Sequence, residues 1–135
     1  MLKRLLITAA ALGAIAVWII KSDTAPVEYG NSSIYSKADM DSAIAVIRAK
    51  FKTFSGCELK RLRYAGDSCM SSENLAWMNQ LGENAPYAWC IEFLSDFHTP
   101  KDASGAWEPD AEYKNWEWWL ARTEDGEWEL LSWGY

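Results

Sequence analysis

The C-terminal stretch 113–135 constrains the fold most, because two alternating runs rich in tryptophan flank the pair Asp125-Gly126. An Asp-Gly pair between strand-forming runs is the strongest short-range signal of a β-hairpin. A two-residue loop at this pair predicts a register with four facing pairs: Trp116 with Tyr135, Trp118 with Trp133, Leu120 with Leu131, and Arg122 with Glu129. Each aromatic side chain can bury roughly 150–250 Å². The hairpin is therefore expected to form one wall of the core.

Two segments have the spacing of amphipathic helices. The first begins at Ser36, which can cap a helix, with Asp39 placed to complete a capping box. Its apolar residues recur at intervals of three or four and predict one buried stripe: Met40, Ala43, Ile44, Ile47, Phe51 and Phe54. Gly56 is expected to end this helix. A second, shorter helix is predicted over 71–81 and is closed by Gly82, with its inward side chains at Leu75, Met78 and Leu81.

Two further segments have the pattern of strands. In residues 57–65 the apolar positions change parity near Lys60-Arg61, which indicates a β-bulge. In residues 86–98 the odd positions are apolar except for Ser95, as in a strand with one face on the core and one in water. The predicted order is α-β-α-β-β-β. We therefore expect an α+β fold in which one long helix packs on a curled four-stranded antiparallel sheet, preceded by an N-terminal hydrophobic helix.

The N-terminal segment combines a basic start with an uncharged apolar run over 5–20. A spanning helix needs about 17–25 apolar residues, so residues 1–21 suit either a membrane anchor or a cleavable signal peptide. Cleavage at the small-x-small site 14–16 would leave an apolar mature end, which favours an uncleaved anchor. We therefore expect a single pass through the cell membrane over residues 2–20, with a secreted protein as the alternative.

The rest of the chain is divided into a tether and a domain. Residues 22–34 are rich in Pro, Gly, Asn and Ser and predict a tether. Residues 35–135 then form one domain. The basic residues before the apolar run place the N-terminus in the cytoplasm and this domain outside the membrane.

The charge of the domain disfavours nucleic acid as a partner. The chain has 13 basic and 19 acidic residues, and residues 25–135 retain ten basic and eighteen acidic ones, a net charge of -8. Such a domain repels a phosphate backbone. Basic residues concentrate in 48–63 and acidic residues after 92. This separation indicates either a solvated surface or a polarised surface that binds a partner.

The ionisable residues form no coherent catalytic set. Cys90 and the single histidine, His98, lie about 27 Å apart at strand rise, and Glu92 and Asp96 lie about 13 Å apart. The two catalytic carboxylates of a glycosidase lie about 5–9.5 Å apart, so Glu92 and Asp96 are too far apart to act as such a pair. We expect no metal and no cofactor. Among the three cysteines one disulfide is conceivable, and the pair favoured by its short loop is Cys57 with Cys69. Otherwise the cysteines are buried small hydrophobic residues.

The candidate binding residues are two aromatic residues and a polar group near the loop 99–112. Trp107 lies in this loop, and Trp119 faces away from Trp116 and Trp118, so both are expected to be exposed. Exposed aromatic residues mark interaction sites. The polar candidates are Asp96, His98 and Asp102.

Several motifs of the domain also carry a resemblance to known proteins. They are Tyr35-Ser36, Phe54-x-Gly56-Cys57-x-Leu59, Tyr64, Leu94-Ser95-Asp96-Phe97, Tyr113-x-x-Trp116-x-Trp118-x-Leu120-x-Arg122 and Trp133-Gly134-Tyr135. With them the domain resembles a group of small, secreted or membrane-anchored bacterial domains of unknown function, and no activity follows from this resemblance. The order of elements is similar to that of cystatin-like and NTF2-like rolls, in which a sheet wraps a long helix.

These observations favour a non-catalytic, membrane-tethered domain that binds a protein or peptide partner outside the membrane. An NTF2-like pocket for a small ligand, or a small enzyme of that kind, is the first alternative. Binding of cell-wall glycan through Trp107 and Trp119 is the second.

Overall fold

Five strands form one sheet in the computed structural model, which describes residues 25–135. In chain order the strands are β1 Val27–Glu28, β2 Glu58–Tyr64, β3 Trp89–His98, β4 Glu112–Arg122 and β5 Glu129–Gly134. They lie in the same order across the sheet; β1 is parallel to β2, and the other neighbours are antiparallel. The helices are α1 Lys37–Phe51 and α2 Ser72–Leu81, with a short 3₁₀ turn at Asp67–Cys69.

The predicted fold, a long helix on a curled four-stranded antiparallel sheet, is wrong. The sheet is mixed and has five strands, and it holds more residues than the two helices, which are 15 and 10 residues long. The unpredicted strand, β1, pairs Val27 with Leu62 and Glu28 with Arg63. A two-residue strand is too short to show alternation in the sequence. The similarity to cystatin-like and NTF2-like rolls depended on the predicted sheet and is not supported.

Residues 1–24, which contain the predicted anchor or signal peptide, lie outside the described residues. Among residues 25–135, neither α1 nor α2 could span a bilayer. Part of the segment predicted as a tether contacts the domain: the Ser32 hydroxyl donates to Asp67 over 2.5 Å, and the Ser33 N–H donates to the same carboxylate over 2.8 Å. These hydrogen bonds, first that of Ser32, hold the pKa of Asp67 below its ordinary value.

The start and the buried face of α1 are confirmed. Ser36 accepts a hydrogen bond from the Asp39 N–H, and the Asp39 carboxylate accepts one from the Ser36 N–H, each over 3.1 Å. The predicted stripe is buried along its whole length: Met40, Ala43, Ile44, Ile47, Phe51 and Phe54. The helix packs through this stripe because a face with helical spacing of apolar groups has to leave water. The predicted end at Gly56 is wrong: α1 ends at Phe51, and Phe54 is buried from the turn that follows. α2 begins and ends as predicted, at the caps Ser71 and Gly82, although Leu81 is exposed rather than inward.

The predicted bulge in β2 and the alternation of β3 are confirmed. The pairing of β2 with β3 shifts between Leu59 and Arg61. From Ile91 onwards the core face of β3 carries Ile91, Phe93, Ser95 and Phe97, all buried. The alternation does not hold at the start of the strand, where Trp89 is partly exposed and Cys90 is buried. Ser95 fits this apolar face because its hydroxyl accepts the indole N–H of Trp118 over 2.8 Å.

The C-terminal hairpin is confirmed in part. Trp118 faces Trp133 as predicted, but a bulge then sets Leu120 opposite Leu130. The predicted two-residue loop is wrong, because residues 123–128 connect β4 to β5. Trp128 explains the longer connection: it is buried, its indole donates to the Asp39 carbonyl, and it therefore belongs to the core rather than to the hairpin ladder.

Candidate functional site

A cleft of about 360 Å³ lies between the turn after α1 and the loop that joins β3 to β4. We call it the loop cleft; its polar and aromatic lining residues are Thr53, Ser55, Asp102, Ser104 and Trp107, and Pro100 lies among them. Two of the predicted binding residues, Trp107 and Asp102, therefore lie in one site. The volume is within the range of about 300–1,000 Å³ that is usual for ligand pockets.

The loop that forms one side of this cleft is clamped at its base by Thr99. The Thr99 side chain is fully buried; its hydroxyl donates to the Glu108 carbonyl over 2.5 Å and accepts the Ala111 N–H over 2.8 Å. The Thr99 N–H donates to the Ala111 carbonyl, and the Asp110 N–H donates to the Pro100 carbonyl, each over 2.9 Å. Both ends of the loop are therefore held by hydrogen bonds.

The indole of Trp107 is fixed by other aromatic rings. Its ring centroid lies 5.0 Å from that of Phe54, 5.3 Å from those of Tyr113 and Trp116, and 5.5 Å from that of Phe97. Trp107 is half-buried rather than freely exposed, since part of the ring packs on this cluster and part lines the cleft. The cleft thus has a rigid aromatic wall.

Asp96 and His98 make structural contacts outside the loop cleft. The Asp96 carboxylate accepts the Asn115 N–H over 3.0 Å and lies 3.1 Å from the guanidinium of Arg61. Asn115 has a positive φ of 58° at the point where β4 shifts register, so Asp96 holds a bulge.

The His98 ring is bracketed by two carboxylates. Its Nε2 lies 2.7 Å from Asp110, and its Nδ1 lies 2.7 Å from Glu112. These hydrogen bonds, first that to Asp110, raise the pKa of His98. Because both ring nitrogens are engaged, the contacts tie the end of β3 to the start of β4.

Trp119 lies on the opposite face of the sheet from Trp107 and is buried, so its predicted exposure is wrong. α2 covers it: the ring of Trp77 meets that of Trp119 edge to face at 5.3 Å. A second, smaller cleft of about 110 Å³ lies here, which we call the tryptophan cleft and which is lined by Trp77, Glu117, Trp119, Ser132, Trp133, Gly134 and Tyr135. The two tryptophans therefore do not form one platform for a glycan.

A carboxyl pair lies beside the tryptophan cleft, and no local sequence pattern indicates it. Glu92 on β3 and Glu117 on β4 share a side-chain hydrogen bond, and Glu117 also accepts the indole N–H of Trp119 over 3.1 Å. Burial, followed by the contact with Glu117, raises the pKa of Glu92 to about 8, while Arg63 acts in the opposite direction. The register between β3 and β4 creates this pair, since it sets Glu92 opposite Trp119 and Leu94 opposite Glu117.

The structure does not bring Cys57 and Cys69 together. Cys57 precedes the first residue of β2, Glu58, and Cys69 follows its last residue, Tyr64. These two ends of β2 lie about 20 Å apart at strand rise. Cys69 instead lies near Cys90, whose Sγ is 3.5 Å from the Cys69 carbonyl oxygen. All three thiols are free, and burial raises the pKa of Cys90 to about 11. A thiol with so high a pKa is a poor nucleophile at neutral pH.

Polar and aromatic side chains line both clefts. Within residues 25–135, no group of three or more His, Cys, Asp or Glu side chains is placed to hold a metal ion. Comparison of the chain with protein-family models, curated proteins and solved structures finds no match. The resemblance to small bacterial domains stays a prediction.

Proposed function

We propose that the chain is a non-catalytic binding module, tethered to the membrane through residues 2–20, that holds a segment of a protein or peptide partner in the loop cleft outside the membrane. The observation that carries this proposal is the rigid indole of Trp107 facing the polar side chains of the cleft. Binding to a preformed surface costs less conformational entropy than binding to a mobile one.

The lining of the loop cleft suits a peptide segment. The hydroxyls of Thr53, Ser55 and Ser104 can donate or accept hydrogen bonds, and the Asp102 carboxylate can accept them. These groups match the alternating N–H and C=O groups of an extended peptide. The indole of Trp107 offers apolar contact to one side chain of such a segment.

The packing between α1 and the sheet disfavours a small-ligand pocket in the interior. Three large side chains of the sheet, Phe93, Phe97 and Trp118, are fully buried there, and Ile47 of α1 is fully buried with them. Densely packed interiors leave few voids larger than a water molecule. Binding in a surface cleft therefore fits the domain better than catalysis in an interior pocket between α1 and the sheet.

Phage display against the full-length chain in lipid nanodiscs tests the proposal. Ser104 is exposed on the wall of the loop cleft, so Ser104→Arg fills the cleft without disturbing the core. Glu124 is exposed in the β4–β5 connection, outside the lining of the loop cleft, so Glu124→Arg is the control for an added positive charge. We expect wild type and Glu124→Arg to enrich the same peptide sequences, and Ser104→Arg to lose them.

Equal enrichment by Ser104→Arg would refute binding in the loop cleft. The glycan alternative is tested with the same proteins, by NMR titration with soluble peptidoglycan fragments. Indole and hydroxyl groups also suit sugar rings. If glycan fragments shift the Trp107 indole resonance saturably and no selected peptide does, the loop cleft binds glycan rather than peptide.

A further inference from the structure

The tryptophan cleft combines aromatic walls with a carboxylate. Trp77 and Tyr135 are exposed at its rim, at 36% and 75%, and Trp119 lies deeper at 8%. The Glu117 carboxylate lines the cleft and is oriented by the Trp119 indole N–H over 3.1 Å. The tryptophan cleft shares no lining residue with the loop cleft. Trp77 and Trp119 lie on the face that α2 covers, whereas the ring of Tyr135 packs on Trp116.

The electrostatics of the cleft favour a positive charge. The face of an aromatic ring carries negative potential and attracts an ammonium or guanidinium group within about 6 Å of its centroid. The Glu117 carboxylate is the acidic side chain that lines this cleft beside the rings of Trp77 and Trp119.

Aromatic rings of this domain already hold cations. Trp133 also lines the tryptophan cleft, and the Lys50 ammonium lies 4.5 Å from its ring centroid, which leaves the rings of Trp77 and Trp119 for an external cation. Outside the lining of the cleft, the Arg122 guanidinium lies 4.7 Å from the ring centroid of Trp128. The acidic domain, with a net charge of -8 over residues 25–135 from ten basic and eighteen acidic residues, also attracts cationic ligands from solution.

The size of the cleft limits what can enter. A volume of about 110 Å³ is well below the 300–1,000 Å³ or so that holds a whole drug-sized ligand. It is large enough for the head group of one side chain but too small for a sugar ring with its substituents.

We propose that the tryptophan cleft is a binding site for an organic cation, the guanidinium or ammonium head of a basic side chain, which contacts the rings of Trp77 and Trp119 and pairs with Glu117. Ser132 and Gly134 line the same cleft and belong to β5, the edge strand of the sheet. A basic residue on an extended segment beside this edge would reach the cleft. The site does not depend on the loop cleft or on the function proposed for it.

NMR titration of the full-length chain in nanodiscs tests this site with two probes of the same shape. N-acetyl-arginine amide carries the guanidinium, and N-acetyl-citrulline amide replaces it with a neutral urea. We expect the arginine probe to shift the Trp119 indole N–H resonance saturably and to bind about tenfold more tightly than the citrulline probe. Equal affinity for the two probes would overturn the proposal.

Two variants assign the contacts, and two more serve as controls. Glu117→Gln removes the charge and should weaken arginine binding about tenfold or more, whereas Glu124→Gln, a charge change at an exposed position outside the lining of the cleft, should not. Because Glu117→Gln also changes a partly buried pair, Trp77→Leu serves as a second variant: its ring is partly exposed, and its loss should weaken binding without unfolding the domain. Ser104→Arg should leave arginine binding unchanged, so failure here and failure of the loop cleft are separable.

Discussion

Replacing Glu92 by glutamine should stabilise the protein at alkaline pH and have little effect at acidic pH. The pKa of Glu92 is raised from 4.5 to about 8 in the folded chain. An unfolded chain loses this proton near pH 4.5, but the folded chain retains it until about pH 8. Unfolding therefore releases a proton between these values, and the wild-type stability falls as pH rises through that window. Glutamine does not titrate, so this loss is absent from the variant.

The size of the effect follows from the two pKa values. A difference between 4.5 and about 8 would correspond to roughly 5 kcal/mol at about 1.4 kcal/mol per pH unit if Glu92 were wholly buried. Glu92 is partly exposed on β3, so solvent screening reduces the penalty. We expect Glu92→Gln to be more stable than wild type by about 1–2 kcal/mol at pH 9, and equal to it at pH 5 within about 0.5 kcal/mol.

Thermal unfolding of the full-length chain in nanodiscs, followed by near-UV circular dichroism at pH 5 and pH 9, measures this difference. For a domain of this size about 1–2 kcal/mol corresponds to a rise in Tm of about 4–8 °C. Glu124→Gln removes an acid from an exposed position and is the control for net charge. A variant that is no more stable than wild type at pH 9, or that gains as much at pH 5, would refute the buried carboxyl pair.

Two further predictions follow from polar groups of the sheet. Ser95→Ala should lower the free energy of unfolding by about 1–3 kcal/mol in chemical denaturation, because the buried Trp118 indole N–H loses its acceptor. Ser95→Thr keeps the hydroxyl and should lower it less. An equal loss in the two variants would contradict this hydrogen bond. The raised pKa of His98 means that its pairing with Asp110 and Glu112 stabilises the fold below pH 6.5 and that this contribution is lost as pH rises through the folded pKa. NMR titration of the ring should give a pKa above 6.5, and Asp110→Asn should lower it; a wild-type value of 6.5 or below would contradict the bracketed geometry.

The candidate site was predictable only where its residues are close in sequence. Trp107 and Asp102 share one loop, and the polar, aromatic composition of that loop already indicated binding. The opposite wall of the loop cleft, from Thr53 to Gly56, comes from the turn after α1 and is about fifty residues away in the chain. No sequence pattern within either segment indicates that the two meet in the fold.

The carboxyl pair shows the same limit. Glu92 and Glu117 belong to strands whose alternation was readable, but their contact depends on the register between β3 and β4. A slip of one residue would move every side chain of a strand to the other face. The sequence also placed Trp119 on the outward face correctly and failed to predict that α2 covers it, because α2 is short and its packing direction has no local signal.

Local patterns determined the N-terminal caps of both helices, the buried stripe of α1, the bulge in β2 and the inward face of β3, because each depends on the spacing of residues within one segment. The tertiary structure alone decided that Val27 and Glu28 pair in parallel with β2 and that Trp128 leaves the hairpin for the core. It also decided that two acids meet beside a buried tryptophan. These contacts join residues far apart in the chain. They form because two segments bury their surfaces against each other, and no pattern within one segment shows which other segment it will meet.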